Sequence, residues 1–277
     1  MEGVYNQLNI FVLCKTIYLI SGAILLALSV IHRQWAKKTM VLLHVVVGCA
    51  FLYHVFGFGL RWYVAGYVPL SNLYETMVFV SLISVMTGIA LSGQSKIVYA
   101  LAVLFGGVIL FMSGISRIDP EIGLLAPVLK SPWLIFHVSI IIVSYSFFCI
   151  GFLIGCTNQI MIYINKKRER GIVSIQIKRL TIINEISLWM GLSFLTAGTI
   201  LGAIWANESW GRYWGWDPKE TWALITIMVY TAVTHYSFVL KKEDPKWLNL
   251  GAVLAFICVL TTYLGVNYFF SGMHSYG

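Results

Sequence analysis

The sequence predicts an all-α polytopic membrane protein with about eight transmembrane helices, from three observations. Of the 277 residues, 59% are hydrophobic and only 11% are charged, which is more apolar side chain than one soluble core of this length can bury. Apolar runs of about 20 residues, long enough to cross a hydrocarbon core of about 30 Å, recur along the chain. Basic residues cluster in the short links between them. We therefore expect a single transmembrane domain over residues 1–277.

The apolar runs place eight spans in order along the chain. The first begins in MEGVYNQLNIF, which has an acidic residue and no basic n-region, so we expect an uncleaved span and not a signal peptide. All five cysteines fall inside predicted spans without a C-x-x-C pair, so a dithiol or zinc site has no support. The predicted spans are approximately 9–31, 40–60, 70–91, 97–115, 133–164, 181–204, 221–240 and 247–270.

The distribution of Lys and Arg predicts the orientation of these spans. Thirteen basic residues lie in the links containing 32–39, 92–96, 165–180 and 241–246, against five on the opposite face. By the positive-inside rule the first set is cytoplasmic or stromal, so both termini lie outside. The net charge of +8 therefore reflects the orientation of the chain in the membrane, and no nucleic-acid partner is expected.

A tryptophan-rich segment lies between the sixth and seventh spans, where residues 205–222 hold five of the ten tryptophans. An aromatic belt explains most single tryptophans near a bilayer surface, but it does not explain this density. Indole faces stack on a flat ligand, and nearby Arg212 and Lys219 can meet acidic groups at its edge. The residues alone leave open a planar cofactor site and an aromatic interfacial helix. A fixed backbone path is indicated by Gly211, Gly215, Asp217 and Pro218.

Histidines favour the cofactor site over the interfacial helix. The topology places His137 close to the outer end of the fifth span and His274 just beyond the eighth span, on the same face as the tryptophans. A lone His near a helix end is more often structural, but two imidazoles beside an aromatic segment are what a six-coordinate haem iron needs.

His235 lies deep within the seventh span, towards its cytoplasmic end. An ionisable residue at that depth is a functional candidate, and the alternative is a neutral imidazole satisfied by a neighbouring helix. His44 and His54 in the second span meet the same argument less strongly, and His32 lies with the cytoplasmic charges. No role is assigned to these three.

Four separated motifs resemble those of a known family. The segment Trp210-Gly-Arg-Tyr-Trp214-Gly-Trp216-Asp217-Pro-Lys-Glu-Thr-Trp222 closely resembles the WWD signature of haem-handling membrane proteins. The four motifs occur in the same order, over residues 61–277, as in the CcsA/ResC family of System II cytochrome c biogenesis, which this chain therefore resembles. The first two spans contribute little to the resemblance. Tyr67 departs from the pattern, because many relatives have His there. The other three motifs are Pro69-Leu-Ser-Asn-Leu-Tyr-Glu75, Trp133-Leu-Ile-Phe-His137-Val, and Gly265-Val-Asn-Tyr followed by His274-Ser-Tyr-Gly277.

The resemblance implies roles for individual residues. His137 and His274 match external histidines that ligate haem iron, and His235 matches a histidine implicated in a second, intramembrane haem site. No catalytic residue is implied. The cofactor-binding WWD segment is matched by Trp210, Trp214, Trp216 and Asp217.

The resemblance also implies a function and partners. The family binds haem b as a substrate at the outer face and presents it for thioether attachment to the C-x-x-C-H motif of a secreted apocytochrome c. It works with a ResB/CcsB-type membrane partner, and the chain would be the haem-handling subunit of a cytochrome c synthase, or haem lyase, complex. Whether this subunit alone is the enzyme is left open. The expected location is the bacterial cytoplasmic membrane or the thylakoid membrane, with the WWD segment on the periplasmic or lumenal side.

Three alternatives remain open at the level of sequence. A polytopic solute transporter accounts for eight spans, but such proteins usually show inverted repeats or broken helices, and neither is evident here. A haem-containing membrane oxidoreductase subunit usually holds its paired histidines within the spans, whereas the strongest pair here is external. A System I haem-handling protein would also carry a WWD signature, but the Pro69–Glu75 and His274–Gly277 motifs favour System II.

Overall fold

The computed structural model of the chain describes residues 2–29, 31, 34–115, 118, 120–123, 125, 127–168, 171–240 and 244–270. Within those residues the regular structure is helical and contains no β-strand, which confirms the predicted all-α class. The chain divides into two compact units, Met1–Lys130 and Ser131–Gly277. A single transmembrane domain over 1–277 and an outside location for both termini stay predictions.

The first unit is a helical bundle whose helices approach each other closely. A Cβ atom added to Gly22 of α2 would lie 2.6 Å from the backbone nitrogen of Leu104 in α5. Glycine at this position therefore allows the two helix backbones to pack together, as small residues do in membrane bundles. The described helices of this unit are α1 (Glu2–Gln7), α2 (Ile10–Ser29), α3 (Gln34–Ala65), α4 (Leu73–Leu91) and α5 (Lys96–Ser113), followed by a 3-10 turn at Pro127–Lys130.

A buried ion pair ties the end of α3 to the start of α4. Arg61 Nε donates to Glu75 Oε1 at 3.0 Å, and the two side chains are 1% and 0% exposed. Arg61 Nη1 also donates to the Pro120 carbonyl at 2.9 Å, and Glu75 Oε2 accepts from the Ser71 hydroxyl at 2.7 Å. These additional bonds are needed because a buried ion pair must offset its own desolvation. Glu75 of the Pro69–Glu75 motif therefore has a structural role.

The second unit carries the tryptophan-rich segment. Its helix α6 packs along α7 and α9, and α8 contacts both α7 and α9. A π-helical turn at Thr261–Gly265 interrupts the last helical stretch. The described helices are α6 (Pro132–Arg168), α7 (Gly171–Trp210), α8 (Pro218–Leu240), α9 (Pro245–Leu260) and, after the π turn, α10 (Val266–Phe269).

A cluster of side-chain amides joins three helices of the second unit. Asn249 Oδ1 in α9 accepts from Asn184 Nδ2 of α7 at 2.8 Å and from Asn158 Nδ2 of α6 at 3.2 Å. Asn249 Nδ2 donates to the Thr181 hydroxyl at 2.9 Å. All three asparagines are fully buried. Because lipid offers amides no hydrogen bonds, these contacts fix the register of α6, α7 and α9.

The chain is confirmed as a multi-pass membrane protein. Among the described residues, seven helical stretches are long and apolar enough to cross a membrane. The predicted span 221–240 is helical as α8, Pro218–Leu240. The seven are Tyr5–Ser29, Ala36–Ala65, Leu73–Leu91, Lys96–Ser113, Pro132–Lys166, Gly171–Trp210 and Pro245–Phe269.

Several helices extend beyond the predicted spans. α7 begins at Gly171 and not near residue 181, because the stretch 171–180 continues the helix with polar and basic side chains beyond the apolar run. α3 likewise covers Gln34–Ala65, where 40–60 was predicted. Hydropathy marks the membrane-embedded part of a helix, whereas backbone hydrogen bonding continues until a capping signal ends it.

Candidate functional site

The tryptophan-rich segment starts on the last turns of α7, which ends at Trp210. Gly211 follows with φ of +70°, and its N–H donates to the Asn207 carbonyl at 2.9 Å. Glycine ends helices in this left-handed conformation because it has no Cβ to clash. The chain therefore leaves the helix sharply and enters the turn that contains Trp214 and Trp216.

A capping box starts α8 directly after that turn. Asp217 Oδ1 accepts from the Lys219 N–H at 3.0 Å, and Glu220 Oε2 accepts from the Asp217 N–H at 3.2 Å. Pro218 occupies the first helical position, where its fixed φ suits the helix. This reciprocal arrangement satisfies amide groups that a helix N-terminus otherwise leaves without partners. The carboxylate of Asp217 is thus held at the helix N-terminus and is 5% exposed.

Trp216 has an uncommon backbone conformation and presents its side chain outwards. Its φ is +57°, and its side chain is 70% exposed. Glu220 Oε2 accepts from the Gly215 N–H at 2.8 Å as well as from Asp217, so one carboxylate oxygen binds the amides on both sides of Trp216. A bulky residue at positive φ costs of order 1–3 kcal/mol and persists only where surrounding bonds hold it. Glu220 supplies those bonds.

The indoles form two edge-to-face pairs. Trp205 is 1% exposed and meets Trp210 with ring centroids 4.8 Å apart at 65°. Trp214 and Trp216 meet at 5.8 Å and 90°. Edge-to-face contacts are a preferred geometry for aromatic pairs, so the two pairs stabilise the segment and leave Trp216 accessible.

His137 of α6 joins the first of these pairs. Its ring lies nearly parallel to that of Trp205, with centroids 6.4 Å apart at 10°. His137 Nδ1 lies 2.7 Å from the Gly198 carbonyl oxygen, which only accepts, so Nδ1 carries the proton and donates. Nε2 therefore carries the lone pair of the neutral ring. This tautomer, fixed by a backbone carbonyl, is the form in which His binds metal ions.

Two features of α7 shape the position of His137. A Cβ atom on Gly202 would lie 2.6 Å from His137 Cε1, so the imidazole occupies a space that only glycine leaves open. Farther along, Glu208 Oε2 accepts from the Ser131 hydroxyl at 2.8 Å and ties the start of α6 to the last turns of α7. The His137 ring is thereby confined between its own helix and α7.

Basic side chains lie beside the turn. The Arg212 guanidinium packs against the backbone of Gly215, where an added Cβ would be 2.9 Å from Arg212 Nε. Lys219, which precedes the predicted span, is partly buried, and this burial lowers the pKa of its ammonium while the nearby Asp217 carboxylate opposes the shift. Both residues therefore place positive charge beside the turn that carries Trp216.

His235 has a separate set of contacts in α8. Its Nδ1 donates to the Thr231 carbonyl at 2.8 Å, which again leaves the lone pair on Nε2. Its ring meets Trp189 of α7 edge to face, with centroids 5.1 Å apart. His274 lies outside the described residues. The structure thus brings His137 together with Trp205 and Trp210, and it places His235 in different surroundings.

Sequence reasoning missed three residues at this site. Trp205 was recognised only as one of the five clustered tryptophans, and its contact with His137 was not expected. The capping role of Glu220 is not among the sequence predictions, although its D-P-K-E context is a recognisable capping signal. The sequence around Gly202 does not indicate its contact with His137, since a glycine in an apolar span can serve helix packing in many ways. Tyr67, to which no role was assigned, donates to the Gly123 carbonyl at 3.0 Å.

Comparisons with known proteins agree on one family. Residues 70–274 match the cytochrome c assembly protein family. The cytochrome c biogenesis protein CcsA of Guillardia theta is 35% identical over 244 residues, covering 79% of this chain and 80% of that protein. CcsA of Trieres chinensis is 32% identical over 301 residues, covering 94% of this chain and 95% of that protein.

Two longer proteins are also similar. Protein NrfI of Wolinella succinogenes is 38% identical over 279 residues, which cover 99% of this chain but only 31% of NrfI. The solved structure of the cytochrome c haem lyase CcmF matches with a TM-score of 0.65 at 17% identity, covering 92% of this chain and 46% of CcmF. The CcmF likeness concerns the fold alone. Taken with the family match, these relatives show that the chain is a member of the cytochrome c assembly protein family, of the CcsA/ResC type, and a multi-pass membrane protein of cytochrome c maturation.

Proposed function

We propose that this protein binds haem b as a substrate at the outer face of the membrane and presents it for covalent attachment to apocytochrome c. It acts in System II with a ResB/CcsB-type partner, as the haem-handling subunit of a cytochrome c synthase. The supporting relatives carry the names cytochrome c biogenesis protein and, at the level of fold, cytochrome c haem lyase.

One observation carries this proposal more than any other. The 2.7 Å bond from His137 Nδ1 to the Gly198 carbonyl leaves Nε2 as the basic nitrogen, on an imidazole that lies beside the Trp205 indole. A neutral imidazole with a fixed tautomer is an effective axial ligand for haem iron. His274 is the proposed second ligand, on the basis of the family resemblance.

The chain's other residues fit the rest of a haem molecule. The exposed indole of Trp216, with Trp210 and Trp214, offers flat apolar surface for a macrocycle. Arg212 and Lys219 are placed to hold propionates, because charge-assisted bonds from basic side chains to carboxylates are strong. Asp217 contributes by holding the start of α8 and by facing Lys219.

The residues of this protein position the substrate, and they do not carry out the bond formation. When bound, haem supplies the iron and the two vinyl groups that become joined to the cysteine thiols of the C-x-x-C-H motif. His137 would hold the macrocycle in one orientation, and the indoles would exclude water from its face. Holding two reactants in a fixed geometry is itself a large contribution to such a rate.

His235 is proposed as a ligand of a second haem within the membrane. Its Nδ1 bond to Thr231 fixes the same tautomer as in His137. Within the described residues it has no histidine neighbour among its ring contacts, which fits a second ligand supplied by the partner subunit. The proposed location is the bacterial cytoplasmic membrane or the thylakoid membrane, with residues 205–222 on the periplasmic or lumenal side.

Axial ligation can be tested by imidazole rescue. The chain is co-expressed with a ResB/CcsB-type partner and an apocytochrome c, and holocytochrome c is measured together with the pyridine haemochrome of the purified complex. We expect His137→Ala and His274→Ala to reduce holocytochrome c sharply, and added imidazole to restore part of it by filling the vacant coordination position. Trp214→Ala should lower haem retention without rescue, because the lost element is binding surface.

His44→Ala serves as the matched control, since His44 is a half-buried histidine of the other unit. It should leave holocytochrome c at the wild-type level. Normal cytochrome c assembly in both the His137 and His274 variants would overturn the external bis-histidine site, and the tryptophan-rich segment would then be an interfacial anchor. A purified complex without any haem would instead favour the transporter alternative.

A further inference from the structure

Trp205 differs from the other clustered indoles in its burial. Its side chain is 1% exposed, whereas the side chain of Trp216 is 70% exposed. Trp205 lies inside α7, five residues before that helix ends at Trp210. A ring with so little accessible surface does not offer a face to a bound macrocycle. Trp205 therefore has a different role from the exposed indoles of the same segment.

The indole of Trp205 lies beside the imidazole of His137. The two ring planes differ by 10° and the centroids are 6.4 Å apart, so the rings are parallel and offset. The imidazole also packs on α7 at Gly202, where an added Cβ would lie 2.6 Å from its Cε1, and its Nδ1 donates to the Gly198 carbonyl. Positions 198, 202 and 205 follow each other at helical spacing on one face of α7. This face therefore holds the imidazole at three points.

The plane of the imidazole determines how a macrocycle can lie at this site. Because Nδ1 donates to the Gly198 carbonyl, iron would be bound through Nε2 of His137. The iron then lies in the plane of the imidazole, and the porphyrin lies perpendicular to that plane. The indole of Trp205, which is parallel to the imidazole within 10°, would also be nearly perpendicular to the porphyrin. In this orientation Trp205 can support the ligand, but it does not stack on the macrocycle.

Trp210 is inclined in a way that permits stacking. Its ring meets that of Trp205 edge to face, with centroids 4.8 Å apart and 65° between the planes. Its plane can therefore lie as little as about 25°, the complement of 65°, from the plane of a macrocycle bound through His137. The two neighbouring indoles thus have different geometric relations to the same ligand.

We propose that Trp205 is a positioning residue for the axial ligand. Its buried indole holds the imidazole of His137 in the orientation in which Nε2 binds iron, and it does not contact the haem itself. This inference rests on the proposed function, and specifically on His137 as a ligand of the outer haem. Trp210 contacts Trp205, so the segment that offers a surface to the macrocycle also supports the ligand of its iron. A site keeps a ligand in a productive geometry when packing of this kind locks its side chain.

The test compares Trp205→Ala with Trp210→Ala in the full chain, expressed with a ResB/CcsB-type partner and an apocytochrome c. In Trp205→Ala the imidazole loses its lateral support, and we expect holocytochrome c to fall about tenfold, since a small misplacement of a positioned group has a large effect. The haem that remains in the purified complex should give a high-spin absorbance spectrum. Added imidazole should restore the low-spin spectrum and part of the holocytochrome c. Trp210→Ala should instead lower the haem content of the complex, and imidazole should not restore it.

Phe148→Ala is the matched control for the loss of a buried ring. Phe148 is 0% exposed, stacks on Tyr230 with centroids 3.7 Å apart, and lies about 16 Å from His137 along α6. This change should lower the melting temperature, as Trp205→Ala does, because both leave a cavity. The haem of Phe148→Ala should stay low-spin, and imidazole should not raise its holocytochrome c. Trp205→Leu, which fills more space but has no flat ring, should show the spectral change with a smaller loss of stability, whereas Trp205→Phe should stay low-spin.

Two results would overturn this role of Trp205. A low-spin spectrum in both Trp205→Ala and Trp205→Leu, with a lower melting temperature alone, would show that the indole only fills space in the bundle. A loss of haem from Trp205→Ala that imidazole does not repair would show that the ring belongs to the haem-binding surface. His137→Ala, measured beside these variants, separates both results from a failure of the proposed function, because normal cytochrome c assembly in His137→Ala would contradict the ligand itself.

Discussion

A Cβ atom on Gly202 of α7 would lie 2.6 Å from Cε1 of His137 on α6. Gly202→Ala should therefore displace the imidazole from the Gly198 carbonyl, and misplacement of a ligand by about 1 Å can lower activity up to a hundredfold. We expect holocytochrome c to fall roughly ten- to hundredfold, with a shifted haem absorbance spectrum in the purified complex.

Gly191→Ala provides the matched control for this change. Its added Cβ would lie 2.6 Å from Phe148 Cε1, so it introduces the same degree of crowding between α6 and α7 at another level. If the two variants lose activity equally without a spectral change in Gly202→Ala, Gly202 is needed for helix packing alone. A spectral shift confined to Gly202→Ala supports its role in positioning His137.

Removal of the Glu220 carboxylate should loosen the turn around Trp216. Glu220→Ala releases the amides of Gly215 and Asp217, and the loss of such a capping interaction costs about 1 kcal/mol. We expect a lower melting temperature and weaker haem retention. Glu220→Gln keeps an oxygen acceptor and should lie between Glu220→Ala and the wild type. Equal melting temperatures for all three proteins would contradict this role.

His235→Ala should lower the haem content of the complex with its partner while folding remains intact. The reason is the depth of His235 in α8 and its Nε2 lone pair, which the Thr231 bond leaves unprotonated. Because the acceptor is the Thr231 backbone carbonyl, Thr231→Val should retain the bond and the haem. Haemochrome assays of the two variants measure the haem content of the complex. Unchanged haem content and unchanged cytochrome c assembly in His235→Ala would show that this histidine has only a structural role.

The orientation of the chain can be read with reporter fusions. The excess of basic residues in four links predicts cytoplasmic signals for fusions after residue 35, within 166–178 and after residue 242. Fusions within 206–218 and after residue 274 should report the outer side. A cytoplasmic signal from 206–218 would contradict an outer haem site built on the tryptophans.

Hydropathy was sufficient to predict the class and the number of crossings approximately, because each helix in a bilayer must satisfy its own backbone and carry an apolar exterior. It could not predict the start of α7 at Gly171 or the π turn at Thr261–Gly265. The first lies beyond the apolar run, and the second changes backbone hydrogen bonding without changing composition.

For the candidate site, composition predicted which segment matters but could not predict the contacts within it. The clustering of tryptophans indicated residues 205–222 as the segment of interest, and D-P-K-E contained the capping signal at Asp217. The bond from His137 to Gly198 and the space left by Gly202 depend on how α6 packs against α7. No pattern within one helix encodes that packing, so these partners could not be named from the sequence.

The amide cluster of the second unit has a consequence for the order of assembly during synthesis. Asn158 and Asn184 enter the membrane with α6 and α7, but both donate to Asn249 of α9, which is made later. Until α9 arrives, these amides lack their shared acceptor in an environment without water. The earlier helices should therefore remain a substrate for membrane chaperones and proteases until α9 docks. Arrival of α9, and not insertion of each earlier hairpin in turn, is then the step that completes the hydrogen bonds of this amide cluster.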